Sequence, residues 1–129
     1  MSPSDSDDQK QMAALRQALR VCAAAGATVT YRELAQRIAF PGPHSIHRLT
    51  LLLEEMIRED HAAQRPLLAA LAVSRAQQSH AGQGMPGRGF FQLLNELGRY
   101  TGPDQGPEAA ACHLREAEAA FAFWSRNEV

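Results

Sequence analysis

Apolar residues recur at steps of three and four along most of this chain, and glycine or proline cuts the rhythm into separate stretches. Met12, Leu15, Leu19 and Cys22 make one stripe, which predicts a helix over 9–25, with Gly26 where a helix C-terminus takes its glycine. Thr30 followed by Glu33 has the form of a capping box, opening a short helix over 31–39. Pro41, Gly42 and Pro43 then make a tight turn. Ile46, Leu49, Leu51, Leu52, Leu53, Met56 and Ile57 predict a longer helix from 44 or 45 to 63. Phe90, Phe91, Leu94 and Leu97 predict a helix over 90–100. Ala110, Leu114, Ala117, Phe121 and Trp124 predict a last one, opened by Glu108 behind Pro107.

Between the third and fourth helices the pattern changes. Residues 67–73 are an unbroken apolar run, expected to form a buried strand. A polar stretch over 75–81 and the glycine-rich GQGMPGRG over 82–89 follow, with the look of a hairpin or wing. The expected fold is mostly α: a winged helix-turn-helix-like core with a short β-hairpin or wing and two additional C-terminal helices. Residues 1–8 are polar and acidic and are expected to be a disordered tail, leaving one domain over 9–126.

A chain of 129 residues with 45% apolar content can bury a core without metals or cross-links. No apolar run reaches the ~18 residues of a membrane span, and the acidic N-terminus is unlike a signal peptide. No membrane partner and a cytoplasmic location are therefore expected. Cys22 and Cys112 are read as buried free thiols, with a single disulfide as the alternative. The net charge of −1 conceals an asymmetry: without Asp5, Asp7, Asp8 and Glu128 the remainder is near +3. That is mildly basic, well below a dedicated nucleic-acid binder. Lys10 is the only lysine, so the basic residues are nearly all arginine, the side chain suited to ion pairs and phosphate.

Two segments carry a family resemblance. TYRELAQRIAFP (30–41) and RPLLAALAVSR (65–75) make the stretch from Thr30 to about Gly89 resemble the winged-helix C-terminal domain of the alkylguanine-DNA alkyltransferases and alkyltransferase-like proteins. The resemblance implies that Tyr31 falls on the tyrosine that contacts the DNA backbone, and Arg75 on the arginine of a Pro-Cys-His-Arg motif. It also puts Val73 in place of the nucleophilic cysteine, Ser74 in place of the histidine and Ala72 in place of the proline. Alkyl transfer needs a thiolate and a base, and neither is present. Ser45 falls nearest the position of the base-stack arginine, with Arg48 three residues on. The pattern PLLAALAVSR, GMPGRGFF, FW is also similar to that of a group of bacterial proteins, a likeness that implies no chemistry.

Tyr31, Arg32, His47, Arg48, Arg75 and Arg88 are the candidate nucleic-acid-binding residues, being helix-turn-helix positions, the motif arginine and a wing arginine. Against this, Glu54, Glu55, Glu59 and Asp60 form an acidic cluster that would repel phosphate. Leu49, Leu52, Leu53 and Met56 are the candidate interface, because the leucines of this helix cover too much of its circumference for one core face. The alternative is that the C-terminal helix covers them. His44 and His47 at one end of the helix, and Asp60 and His61 at the other, stand about 20 Å apart by helical rise, too far to share an ion; the histidines read as ordinary surface residues. MPGRGF (85–90) lacks the lysine and the spacing of a nucleotide loop. Phe121 and Trp124 share a face and are expected in the core.

No enzyme and no cofactor or metal is expected from these residues. Two functions stay open: a DNA-associated accessory or regulatory protein on double-stranded DNA, and a protein–protein interaction module or homodimer without nucleic-acid binding.

Overall fold

The computed structural model describes residues 3–38, 44–78 and 84–126, omitting the side chains of 3–8 and 75–78. The turn at 41–43 and the tip of the hairpin, 79–83, lie outside the described residues. The order is α1 (Pro3–Ala25), β1 (Val29–Thr30), α2 (Tyr31–Arg37), α3 (Ser45–Ala62), a 3-10 turn (Leu68–Leu71), β2 (Ala72–Gln78), β3 (Gly84–Met85), α4 (Arg88–Glu96) and α5 (Pro107–Arg126). The chain is thus mostly helical with one small sheet. None of the described helices is long and apolar enough to cross a membrane.

Three helices stop by the same device. At the end of α1, Gly26 adopts φ +67° while its N–H bonds to Ala23 O and the next N–H, from Ala27, to Cys22 O. This is the Schellman arrangement, which satisfies carbonyls left over at a helix end. Gly98 does the same for α4, which is why that helix stops before the expected residue 100. At the end of α3 the left-handed position is held by Gln64, φ +58°, a residue with a Cβ that resists it. The other end of α1 begins at Pro3, ahead of the expected Gln9. Proline is favoured in the first helical position, where a missing N–H costs nothing.

The run at 67–73 is corrected: its centre is a 3-10 turn, and only from Ala72 does it become a strand. β1 lies parallel to β2, with Val29 opposite Ala72 and Thr30 opposite Val73. β3 pairs antiparallel with β2 in an irregular register. Gly84 fits there because a Cβ would come within 2.9 Å of Val73 Cγ2.

The 3-10 turn is the hub of the core. Leu67, Leu68, Ala70 and Leu71 are wholly buried, and α1, α3 and α5 all pack on them. Such a segment leaves backbone groups that must find partners away from water. Side chains from three other places supply them. Asp60 Oδ2 accepts from Leu68 N–H (3.3 Å), His113 Nε2 bonds to Ala70 O (2.8 Å), and Trp124 Nε1 donates to Pro66 O (2.9 Å). Asp60 and His113 are the buried polar residues among those described, and both serve this turn. Cys22 and Cys112 are free thiols within the same core, 4% and 3% exposed.

Candidate nucleic-acid interface

Thr30 opens α2 by accepting the Glu33 N–H on its hydroxyl (3.1 Å), the first half of the expected capping box. This fixes the first turn of α2, with Tyr31 pointing inward and Arg32 exposed. Tyr31 Oη accepts the Gly87 N–H at 2.8 Å, tying the start of α2 to the turn before α4. Burial pushes the tyrosine hydroxyl above its ordinary value of 10.0, outweighing the Gly87 bond, so the group is a neutral phenol. Tyr31 is therefore a fold-positioning residue, whatever else it touches.

A cleft of about 50 Å³ opens beside it, walled by Thr50, Leu53, Glu54 and Ile57 of α3, by Gly87 and by Phe90. It is small, with room for little more than a water. Glu54 Oε2 comes within 4.0 Å of where a Gly89 Cβ would stand, so its carboxylate faces the first turn of α4. That turn has no side-chain cap and no acidic residue of its own. A negative charge there opposes the positive end of the helix dipole.

The N-cap of α3 is His44, which takes φ +63° and offers no side-chain cap. Its first turn is open: Ile46, His47 and Arg48 are all exposed. His47 lies three residues before Thr50, on the stripe that walls the cleft, and Arg48 lies on the neighbouring face. Arg88 does not stand on the hairpin. It is the first residue of α4, and its guanidinium donates to Gln105 Oε1 at 3.0 Å, towards the loop before α5. Arg75 falls in β2, but its side chain lies outside the described residues. The Tyr31–Gly87 bond thus brings the start of α2 to the start of α4, alongside the cleft face of α3.

The acidic cluster of α3 is not the phosphate-repelling surface it resembles in sequence. Asp60 is buried between Arg65 (2.8 Å) and Arg16 (3.1 Å), and Glu59 also pairs with Arg16 (2.8 Å). Glu54 lines the cleft, leaving Glu55 as the exposed acid without a bond among the described residues. Arg16 lies 43 residues from Glu59, on α1, so no local pattern announces it, while Arg65 stands just beyond the end of α3. His61 is likewise engaged, with Nδ1 3.3 Å from Arg99 Nη1, and Arg99 is clamped by Glu116.

The proposed leucine interface is corrected. Leu49, Leu53 and Met56 are buried in the chain's own core, and Leu52 packs partly against it. Their cover comes from the 3-10 turn and α2, while α5 packs chiefly on α1 and that turn. The exposed large apolar residues are Val21, Ile46, Leu51 and Leu114, spread over α1, α3 and α5. Met85 and Pro86 are buried too. Among the described residues no group of three or more His, Cys, Asp or Glu side chains is placed to hold a metal ion. No protein-family model, curated protein or solved structure matches the chain.

Proposed function

We propose that this is a non-catalytic winged-helix protein that contacts double-stranded DNA as an accessory or regulatory factor. In this reading α2 and α3 are the helix-turn-helix, β2 and β3 the wing, and the first turn of α3 enters the groove. The observation that carries it is the division of charge along α3. The last two acids of the helix, Glu59 and Asp60, are paired with Arg16 and Arg65, while its first turn holds His47 and Arg48 at the surface. A helix so arranged meets phosphate with its N-terminal end, where the dipole also favours an anion. Arg32 adds a second charge at the start of α2. With Val73 and Ser74 where alkyl transfer would need a thiol and a base, and Val73 buried under Gly84, the site has binding to offer and no nucleophile.

The test is fluorescence anisotropy of a labelled duplex at ~50 and ~200 mM salt, where the affinity of a phosphate-contacting protein falls steeply. Arg32→Ala and Arg48→Ala should each weaken binding and flatten the salt dependence by about 0.9 in the logarithmic slope per lost phosphate contact. No binding at the lower salt would refute the proposal. The alternative, a homodimer or protein-binding module, has lost the buried leucines as its surface; a dimer mass by light scattering without DNA binding would restore it.

A further inference from the structure

Some 20 Å along α3 from its first turn, by helical rise, lies a second cluster that the reading above does not use. Arg16 and Arg20 stand one helical turn apart on α1. Arg16 and Arg65 share one oxygen of Asp60, at 3.1 and 2.8 Å. Arg20 and Arg65 both lie over the ring of Trp124, at 5.3 and 5.5 Å from its centre. The cluster therefore holds three guanidiniums and two carboxylates, Asp60 and Glu59, which pair with Arg16 and Arg65. The excess charge is that of Arg20, which has no ion pair or hydrogen bond among the described residues and rests on the indole alone. Three buried N–H groups in the cluster lack an acceptor: Arg16 Nη1, Arg20 Nε and Arg65 Nε.

We propose that Arg16, Arg20 and Arg65, gathered round Trp124, bind an oxyanion: the carboxylate or phosphate group of a small molecule. The guanidinium fork matches either group with paired N–H donors, and charge-assisted bonds of this kind are about twice as strong as neutral ones. Donors buried without acceptors are costly to the free protein and are repaired when an anion arrives. Arg65 and Arg16 are already oriented by Asp60, so the site is partly assembled before the ligand binds.

Trp124 is the only tryptophan of the chain, so its fluorescence reports on this site alone. The protein is titrated with inorganic phosphate and, separately, with acetate, each against chloride at matched ionic strength. A saturable change with either anion is expected, and the one that acts identifies the source. Arg20→Gln should weaken it about tenfold or more, whereas Arg58→Gln, a pair with Glu96 elsewhere on α3, should not. Arg20→Lys keeps the charge without the fork and should bind more weakly than the parent; it decides the matter if Arg20→Gln loses its helical circular dichroism. No saturable change with either anion, or equal titrations for the parent and the folded Arg20 variant, overturns the proposal. Because this site is remote from the start of α3, its anion response and duplex binding succeed or fail separately.

Discussion

The two ends of α3 are built from similar residues and do opposite work. At the C-terminal end Asp60 is buried and Glu59 stands exposed beside it, and arginines from α1 and from beyond the helix pair with them. At the N-terminal end His47 and Arg48 face solvent. A charge run in sequence thus says little about surface potential until its partners are known. One end fixes the helix to the core, and the other lies at the surface.

The largest expected effect lies at the fixed end. Asp60→Ala leaves Arg16, Arg65 and the Leu68 N–H without their shared acceptor and should cost about 3–5 kcal/mol in denaturant unfolding. A loss under about 1 kcal/mol would mean that the network is solvated and the contrast between the ends is false. Next comes His113→Leu, which strands Ala70 O and should cost about 1–3 kcal/mol. Burial holds the His113 imidazole below its ordinary 6.5, against the weaker effect of the Ala70 bond. The unfolded chain then takes up a proton below pH 6.5 that the folded chain refuses, so stability is full above that pH and falls as acid is added. Tm measured from neutral pH downward should show this fall, and His113→Leu should remove part of it.

Gln64→Gly should stabilise by about 1 kcal/mol, since the left-handed position at the end of α3 suits a residue without Cβ. Unchanged stability would show that the glutamine gains something there which its conformation conceals. Smallest of all is the effect of His47→Ala on folding. Its Tm should match the parent within error, while duplex affinity drops; a fall in both would move His47 from the exposed end to the structural one.

The helices were legible because their apolar residues keep helical spacing and because Gly26, Thr30 and Pro107 punctuate them. The hub was not. Leu67 to Val73 has no polar residue to set a period, so a strand and a tight helical turn look alike. Only the partners that satisfy its backbone distinguish them, and Asp60, His113 and Trp124 are scattered along the chain. The same distance explains the candidate site. Arg32, His47 and Arg48 lie in the opening turns of the helices that the spacing predicts, whereas the glycines around Arg88 hide the start of α4 and make it look like a hairpin residue. The leucines of α3 overfilled one face in sequence because the cover from the 3-10 turn was not visible.

Cys22 and Cys112 sit on α1 and α5, the two helices that close over the hub, and burial pushes the Cys112 thiol above its usual value. A thiol reagent reaches either sulfur only when its helix lifts away. The two residues are therefore a pair of clocks. With one replaced by alanine, the labelling rate of the other counts how often its own helix breathes, and the ratio of the two rates separates a fraying end from a molecule that opens all at once.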